Sequence, residues 1–423
     1  MCGLCGELRF DGSVLDKKVI ERMKEKLQKR GPDSEGSYVN APIALGHQRL
    51  AIIDLTNKAA QPMMDQQAGV ALVFNGTIYN YPELRKELQA LGHHFKSTGD
   101  TEVILRSYIE WSENCVARLK GMFAFAIWDD KKQSLLMARD RSGIKPLYFS
   151  QTPQRLLFAS NTQALIHADD KIDTSIDANA MHNLFTLHAV VPAPRTIVKG
   201  IRKVKPAHYM LIDNKGRVEE KRYWTLTAKR PDKKMTEQDW ITATHDELRR
   251  AVEKRVKIAD VPVGVLLSGG IDSSLLVGLL AEAGQKGLKT FSVGVEDAPE
   301  EKGNEFEYSD AVAKMFDTEH HQLMVPNNQV LPRLPEAFAN MAEPMFGQDA
   351  VAFYLLSEVV SKEVKWVQIG TGTDEVFGRY FWYARMHHSI TTGIKRLSSE
   401  YFDRNHVEYM DHVQHLFHPD YVP

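Results

Sequence analysis

A pair of glycines between two apolar segments constrains this chain more than any other feature of its sequence. Residues 261–267 are almost entirely apolar, and the string Ser268-Gly269-Gly270-Ile271-Asp272-Ser273 follows directly. A short apolar run that ends in glycines before a helical pattern is typical of a parallel strand buried on both faces. The alternation continues, with strands expected over residues 289–295, 320–325 and 364–369 and helices over residues 273–283, 308–316 and 350–362. The sequence after residue 240 therefore predicts an α/β domain with a doubly wound parallel sheet.

The glycine pair also predicts an anion site. Glycines let backbone N–H groups approach an anion closely, and the N-terminus of the following helix adds a partial positive charge. No lysine follows the glycines, so the loop is not of the Walker A type. Asp272 would repel a phosphate unless a divalent cation joins the two, which makes Asp272 a candidate Mg²⁺ ligand. The structural alternative is a tight strand-to-helix turn that a serine caps.

The N-terminal part of the chain shows a different pattern, in which short strands mix with helices. Helices are expected to begin near Asp16, Pro82 and Asp100. Residues 122–128 and 135–139 are apolar segments on either side of a polar turn, which predicts an antiparallel hairpin. Antiparallel strands mixed with helices indicate an α+β layer fold.

Chain length agrees with more than one domain, because 423 residues at about 150 residues per domain predict two or three. We expect the α+β domain over residues 1–190 and the α/β domain over residues 240–423. Several prolines and a run of lysines mark residues 191–239, which we expect to form a connecting segment.

Charge and cysteine content exclude several classes of function. The 53 Lys and Arg residues nearly balance the 55 Asp and Glu residues, and a net charge of −2 offers no field that would capture nucleic acid or an anionic membrane. Three cysteines cannot form a disulfide framework, no apolar run approaches the roughly 20 residues that span a bilayer, and no signal peptide is evident. We therefore expect a cytoplasmic protein whose partners are small molecules.

Cys2 is a candidate nucleophile. Removal of Met1, which is efficient before a small residue, would leave the Cys2 thiol beside a free α-amino group. Such an amine, with a pKa of about 7.7–8.0, can serve as the general base for the side chain of its own residue. Cys2 and Cys5 also form a C-x-x-C pair, so zinc or redox chemistry is an alternative. Zinc sites normally need four ligands, however, and Cys115 is the only other thiol in the chain.

Several further strings follow Met1-Cys2-Gly3 in a fixed order: Arg30-Gly31-Pro32-Asp33, then Gly46-His47-Gln48-Arg49-Leu50-Ala51-Ile52-Ile53-Asp54, Asn75-Gly76-Thr77-Ile78-Tyr79-Asn80-Tyr81 and Gly99-Asp100-Thr101-Glu102. Together they resemble the class II glutamine amidotransferase domain over essentially its whole length. The resemblance implies an N-terminal nucleophile fold, an αββα sandwich, in which Cys2 attacks the side-chain amide of glutamine. It also implies that the oxyanion is stabilised by Asn75 and Gly76 and that glutamine is bound by Arg49, Ile52, Asn75, Gly76, Thr77 and Asp100.

The Ser268–Ser273 string resembles the pyrophosphate loop of N-type ATP pyrophosphatases, and a second glycine-rich string, Ile369-Gly370-Thr371-Gly372-Thr373-Asp374, supports the match. An amidotransferase domain followed by such a loop resembles the asparagine synthetase B family. This resemblance implies that ATP activates a small carboxylate acceptor as an acyl-adenylate and that ammonia then converts it into an amide. It also implies Mg²⁺ ligation by Asp272 and Asp374, and an ATP site lined by Leu266, Ser268, Gly269, Gly270, Asp272, Ser273, Val293, Ile369 and Gly370.

Three departures from the family pattern modify these expectations. Thr77 stands where the family usually has Glu, and Thr371 replaces an acidic residue of the second loop. The chain also resembles the N-acetylglutaminylglutamine amidotransferases, which amidate a dipeptide of an osmoprotectant pathway. This resemblance rests on Cys-Gly-Leu-Cys-Gly-Glu at the start, the Thr371 loop and Tyr401-Phe402-Asp403-Arg404. Aspartate is the other candidate acceptor.

The third departure is one of length, because the family's synthetase domain extends beyond the equivalent of Pro423. The alternative is therefore a truncated product that only hydrolyses glutamine or binds nucleotide. The sequence leaves open whether the chain is a monomer or a homodimer.

Overall fold

The computed structural model describes residues 1–187, 189–296, 303–344, 349–380 and 383. These residues form two compact units. The first contains Met1–Asp177, Pro192–Lys234 and Ala339–Pro344. The second contains Ala178–Val191, Met235–Phe338 and the described residues from 349 onward.

The first unit is built on two antiparallel sheets of six strands each. Its strands are β1 Gly3–Arg9, β2 Ser34–Asn40, β3 Ile43–Arg49, β4 Met63–Asp65, β5 Val70–Ile78, β6 Gly121–Asp129, β7 Ser134–Arg139, β8 Tyr148–Gln151, β9 Arg155–Ala159, β10 Arg202–Lys203, β11 His208–Asp213 and β12 Val218–Arg222. The strand order is β10-β8-β9-β1-β3-β2 in one sheet and β12-β11-β7-β6-β5-β4 in the other.

Helices cover the outer face of each sheet. The helices of this unit are α1 Lys17–Glu25, α2 Tyr81–Ala90, α3 Asp100–Trp111, α4 Cys115–Arg118 and α5 Thr162–Ala168. One apolar cluster joins α1 and α5 to the first sheet, a second fills the space between the sheets, and a third joins α2, α3 and α4 to the second sheet. This four-layer arrangement is the αββα sandwich that the resemblance implied.

Strand β5 shows why such a sandwich needs apolar strands. Leu72 and Phe74 belong to the cluster beneath the helices, whereas Ala71 and Val73 belong to the cluster between the sheets. Successive side chains of a strand point to opposite faces, so a strand with both faces covered must be apolar at every position. Residues 70–74 meet this requirement, and the sequence pattern therefore identified the strand.

The second unit contains one parallel sheet of four strands, in the order β15-β14-β13-β16. Its elements are α6 Ala178–Thr186, α7 Glu237–Lys257, β13 Val263–Leu266, α8 Ile271–Glu282, β14 Lys289–Val295, α9 Phe306–Met315, β15 Glu319–Val325, α10 Asn327–Asn340, α11 Asp349–Glu363, β16 Trp366–Gln368 and α12 Thr373–Phe377. The chain moves outward from β13 to β15 and then returns to the other side of β13. The strand order therefore reverses between β13 and β16, which is where open α/β sheets bind ligands.

Two segments differ from their sequence-based descriptions. Residues 191–239 were expected to connect the domains, but Pro192–Lys234 belongs to the first unit, where β10 and β11 extend the two sheets by pairing with β8 and β7. The prolines of this segment lie outside its strands, in turns and loops of the first unit, so they do not mark a linker between domains. Helix α10 was not expected at all, because Pro332 and Pro335 lie inside it.

Among the described residues, no helix combines the length and the apolar character that crossing a membrane would require.

Candidate active sites

Cys2 lies immediately before β1 and is half-buried. The backbone N–H of Leu50 donates to Cys2 Sγ at 3.3 Å, and the thiol lies 3.6 Å from the carbonyl oxygen of the same residue. Arg30 Nε donates to the Cys2 carbonyl oxygen at 3.1 Å. Leu50, which follows β3, therefore holds the sulfur of Cys2, and Arg30, which lies beyond α1, holds its main chain.

The Arg-Gly-Pro-Asp string holds the end of β3 against this position. A Cβ on Gly31 would lie 2.2 Å from the carbonyl oxygen of Gln48, so no larger residue fits there. The Asp33 N–H donates to the Arg49 carbonyl at 2.9 Å, and its carboxylate accepts from Ala51 N at 2.7 Å. The string therefore has a structural role, because it fixes the backbone that contacts the Cys2 sulfur.

Asn75 lies in β5 with 1% of its surface exposed, and its Nδ2 atom has no hydrogen-bond partner among the described residues. The preceding residue, Phe74, is fixed on both sides. Its carbonyl lies 3.0 Å from His47 Nε2, and its N–H donates to Gln61 Oε1 at 2.6 Å. Burial lowers the pKa of His47 to about 4, so the ring is neutral and Nε2 carries the proton that it donates. A buried amide donor without a partner is costly, which indicates a group that a ligand satisfies.

Gly76 follows at a point where the strands β5 and β6 approach closely. A Cβ on Gly76 would lie 2.2 Å from the Met122 carbonyl oxygen and 2.7 Å from Phe123 Cα. The next residue, Thr77, is buried in the same strand. No side chain fits at Gly76, so its backbone packs directly against β6 beside the buried Asn75, an arrangement that suits a preformed oxyanion site.

Arg49 and Asp100 provide opposite charges in a buried setting. Arg49 donates to the carbonyl oxygens of Thr56, at 3.0 Å, and of Asp54, which fixes the guanidinium through neutral groups. Asp100 begins α3 and accepts from Ile78 N at 3.0 Å. Burial raises the pKa of Asp100 to about 6, although backbone hydrogen bonds and the charge of Arg49 act in the opposite direction. A fixed cation and a buried carboxyl group suit the two charged groups of a free amino acid.

These groups come together at one end of the sandwich. Gly3 pairs with Gln48 in the sheet, which places Cys2 beside the end of β3, and His47 connects β3 to β5 next to Asn75. Ile52 is half-buried in the loop that follows β3. The first sheet thus carries Cys2 and Arg49 and the second carries Asn75, Gly76 and Thr77.

Sequence reasoning gave no role to three residues that the structure places in this region. Arg30 and His47 contact the nucleophile and the strand before Asn75, and Lys145 Nζ lies 3.0 Å from Met1 Sδ. Arg30 and His47 lie in strings that pointed to the family. Their roles depend on contacts between distant parts of the chain, which the spacing of residues does not reveal.

The first glycine loop joins β13 to α8 in the second unit. Gly269 has a φ of +89°, and a Cβ there would lie 2.4 Å from Tyr308 Cβ, so glycine is required. Ser268 Oγ lies 3.1 Å from Ser273 Oγ and accepts from Gly270 N at 3.2 Å. Gly270 is the N-cap of α8, and no side chain among the described residues caps the helix, so the serine cap of the structural alternative is not formed. The serines fix the loop, and the N-terminus of α8 remains suited to an anion.

The second glycine loop meets the first. A Cβ on Gly370 would lie 3.1 Å from both the backbone carbonyl carbon and the Cβ of Asp272, so the two loops pack directly on each other. Arg379 Nη1 contacts Asp272 Oδ1 at 2.5 Å, and Arg379 Nε lies 3.3 Å from Asp374 Oδ1. The two carboxylates therefore approach one common point, where an arginine holds both.

The other residues expected at the nucleotide site lie at the carboxyl ends of the parallel strands. Leu266 ends β13, Val293 lies in β14, and Ile369 follows β16 with half of its surface exposed. Ser268 and Gly270 are exposed along the same edge, and Gly370 is half-buried. This edge, at the reversal of strand order, is open to a ligand.

The residues present suit a Mg²⁺ ion. Asp272 and Asp374 offer two carboxylates beside an anion-binding loop, and Mg²⁺ is commonly held by one or two carboxylates together with phosphate oxygens. The side chains of these residues are 24% and 36% exposed, so water ligands have access as well. Arg379 would have to release both carboxylates for the ion to bind, because its guanidinium occupies the space between them.

The alternative role of the cysteines as metal or redox groups finds no support in their positions. Cys5 is buried against α1, and burial raises its pKa to about 12. Cys115 is buried beneath the helices of the second sheet, and burial raises its pKa further. All three thiols are free.

Within the described residues, one group of three or more potential metal ligands stands close together, namely Glu319, His321 and Glu363. Lys289 Nζ lies 3.3 Å from Glu319 and 2.5 Å from Glu363, so one lysine ammonium group pairs with both carboxylates. These side chains form a surface ion-pair network on the second unit.

Known proteins resemble both parts of the chain. The glutamine amidotransferase domain family matches residues 1–224, and the asparagine synthase family matches residues 243–416. Two glutamine-hydrolysing asparagine synthetases of Bacillus subtilis, numbers 3 and 1, are 32% and 33% identical over 90% and 94% of this chain. A putative asparagine synthetase of Methanocaldococcus jannaschii is 34% identical over 90% of this chain and 76% of its own length. The chain spans 64% and 62% of the lengths of the two Bacillus proteins. The order of the two domains and these identities show that the chain belongs to the asparagine synthetase family.

Proposed function

We propose that the protein makes amides with glutamine as the nitrogen donor. In the first unit, the Cys2 sulfur attacks the side-chain carbonyl carbon of glutamine, while the thiol proton passes to the α-amino group that Met1 removal leaves. Asn75 Nδ2 and the Gly76 N–H stabilise the oxyanion. The α-ammonium group returns the proton to the amide nitrogen as the carbon–nitrogen bond breaks, and ammonia leaves. Water then hydrolyses the thioester to glutamate and restores the Cys2 thiol.

In the second unit, a carboxylate oxygen of the acceptor attacks the α-phosphorus of ATP, and pyrophosphate leaves. The Ser268–Ser273 loop holds the phosphates through backbone N–H groups and serine hydroxyls. Ammonia then attacks the acyl carbon of the adenylate and displaces AMP, which gives the amide. Bound to Asp272 and Asp374, Mg²⁺ would supply positive charge for the phosphate oxygens.

One observation carries the glutaminase half of the proposal. Asn75 Nδ2 is a fully buried donor that has no partner among the described residues, in a strand fixed by His47 and Gln61. A polar group of this kind is normally satisfied, so its position indicates the oxygen of a bound substrate. The meeting of the two glycine loops at Asp272 and Gly370 supports the nucleotide half.

The function is tested with purified protein, glutamine, ATP and Mg²⁺ by measuring glutamate and AMP separately. We expect glutamate formation, and AMP formation when a suitable carboxylate is present. Glutamate without AMP for any acceptor would reject the synthetase half and favour a product that only hydrolyses glutamine. Neither product would reject the proposal as a whole.

For the acceptor we propose the dipeptide N-acetylglutaminylglutamine, as in osmoprotectant synthesis, with aspartate as the second candidate. Thr371 in the second loop supports this choice, because it offers a hydroxyl where the resemblance has a carboxylate. Tyr401-Phe402-Asp403-Arg404, which also carried the resemblance, lies outside the described residues. ATP–pyrophosphate exchange with each acceptor alone distinguishes the two, since exchange with aspartate but not with the dipeptide would reverse the choice. We also propose a cytoplasmic location, because three free thiols suit a reducing compartment.

Asp100 predicts how glutamine binding depends on pH. Because burial raises the pKa of this carboxyl group to about 6, it is ionised at pH 7 and becomes protonated as the pH falls below about 6. Protonation removes the charge that attracts the α-ammonium group, so KM for glutamine should rise about tenfold for each pH unit below that value. Steady-state hydrolysis between pH 5 and 8 measures this. Asp100→Asn should have a high KM that no longer changes in this range, whereas a flat KM in the unaltered protein would contradict the assignment.

Asp272→Asn is expected to lower Mg²⁺-dependent ATP–pyrophosphate exchange on the order of 100-fold, as expected when a metal site loses a supporting group. Glutamine hydrolysis by the first unit should be unchanged, because Asp272 belongs to the second. The matched control is Asp246→Asn, which changes an exposed carboxylate on α7. Equal exchange by both variants would show that Asp272 does not hold the ion.

A further inference from the structure

Two cationic side chains flank the first residues of the chain. Arg30 contacts the Cys2 carbonyl oxygen, and Lys145 Nζ lies 3.0 Å from Met1 Sδ. Lys145 is 5% exposed although it carries an ammonium group, and long charged side chains normally extend to reach water. The position of this buried cation beside the nucleophile therefore calls for an explanation.

Hydrogen bonds hold both the backbone N–H and the carbonyl oxygen of Lys145. The fully buried Asp140 carboxylate accepts from the backbone N–H groups of Lys145, at 2.9 Å, and of Ser142 and Ile144. Arg139 donates to the Lys145 carbonyl oxygen at 2.9 Å. Two buried charged residues thus hold the backbone of the loop that carries Lys145, which fixes the direction in which the Lys145 side chain leaves it.

The ammonium group itself is poorly satisfied while Met1 is present. Among the described residues, its one hydrogen bond is to the Met1 sulfur, and a thioether is a weak acceptor for a group with three donors. Removal of Met1 takes that sulfur away and leaves the α-amino group of Cys2 as the new N-terminus. Lys145 would then face the nitrogen and sulfur that carry out the proton transfer.

The charges around the N-terminus act in a consistent direction. The pKa of the Met1 α-amino group is lowered to about 5, first by burial and also by the charges of Arg30 and Lys145, while Cys2 and Asp33 act in the opposite direction. Burial and the charge of Arg30 lower the pKa of Lys145 to about 8, against Asp140 and Cys2. Lys145 is therefore mostly charged at neutral pH, while a neighbouring amine is mostly neutral.

We propose that Lys145 is a positioning residue of the glutaminase site, whose fixed ammonium group keeps the α-amino group of Cys2 unprotonated so that it can accept the thiol proton. This inference rests on the proposed function, in which that amine is the general base. Removing the charge of Lys145 favours the protonated amine, which cannot accept a proton. The consequence is a loss of rate on the acid side of the pH profile, with little change at higher pH.

Lys145→Met tests the inference by removing the charge and keeping most of the side-chain length. We expect the acid limb of kcat/KM for glutamine hydrolysis to move up by about one to three pH units, the range expected for one charge about 12 to 4 Å away at an effective dielectric constant of about 20. Lys145→Arg should restore the original profile. Lys131→Met, which changes an exposed lysine bound to the Gln67 carbonyl, is the matched control and should not move it. An unmoved limb in a folded Lys145→Met protein, or an equal shift in Lys145→Arg, would overturn the proposal.

A second measurement needs no glutamine. Competitive labelling with acetic anhydride at different pH values gives the titration midpoint of the α-amino group in the unaltered protein and in Lys145→Met. We expect a midpoint below pH 7 in the unaltered protein and a higher one in the variant; equal midpoints, or a value at or above the 7.7–8.0 of a free α-amine in the unaltered protein, would reject the role of Lys145. If the protein hydrolysed no glutamine but the midpoint were low, the proposed function would fail while the electrostatic effect stood.

Discussion

Cys2→Ala is expected to abolish glutamine-dependent amide formation while amide formation from added ammonia continues. The sulfur is the only atom of Cys2 that can form the thioester, and Leu50 holds it through its N–H at 3.3 Å. Alanine removes the nucleophile and leaves the backbone contact from Arg30 in place. Loss of a covalent nucleophile commonly costs several orders of magnitude in rate. Glutamate release and amide formation, each measured with glutamine and with ammonium chloride, show the effect.

Cys5→Ala is the matched control for this experiment. Cys5 lies three residues further along the chain, in β1, but is buried against α1, and its raised pKa keeps the thiol protonated. We expect glutamine hydrolysis by this variant to match that of the unaltered protein. If Cys2→Ala also lost the ammonia-dependent reaction, the two reactions would not take place at separate sites.

The sequence pattern identified those strands and helices whose burial determines the spacing of their apolar residues. The hairpin of β6 and β7 is apolar on both faces because helices cover one face and the other sheet covers the second, and it was expected within one residue or two of its bounds. Strand β2 was not identified, because its residues are polar and largely exposed at a sheet edge. An edge strand owes its conformation to hydrogen bonds with its neighbour, and such bonds leave no periodicity in the sequence.

A similar distinction applies to the candidate sites. Cys2, Asn75 and Asp272 lie in short strings whose residue types indicate chemistry, and the structure places each in a setting that suits it. Lys145 and Arg379 act through residues far away in the chain. Lys145 is 144 residues from Met1, and Arg379 is 107 residues from Asp272. Contacts between residues so far apart follow no motif that can be recognised in the sequence. Residues that carry the chemistry of a site can thus be predicted from short sequence strings, whereas the structure is needed to find residues that position them.

Asn75→Ala is expected to reduce kcat for glutamine hydrolysis by about 10²–10³, the usual effect of removing one donor from an oxyanion site. Because the Nδ2 donor has no partner among the described residues, its removal breaks no known hydrogen bond of the ligand-free protein. Thermal stability should therefore stay the same or rise slightly, since a buried unsatisfied group is lost. This combination of a large loss of rate with unchanged stability separates a group that acts in the transition state from one that holds the fold together.

KM and the unfolding temperature complete the test. KM for glutamine should change little, because the interaction strengthens only when the carbonyl oxygen gains negative charge. Asn57→Ala, at an exposed position in the loop before β4, is the matched control and should leave both kcat and stability unchanged. A higher KM with an unchanged kcat would instead make Asn75 a contact to the ground state of glutamine. A large fall in the unfolding temperature would mean that its buried amide stabilises β5, which would remove the reason for assigning it to the oxyanion.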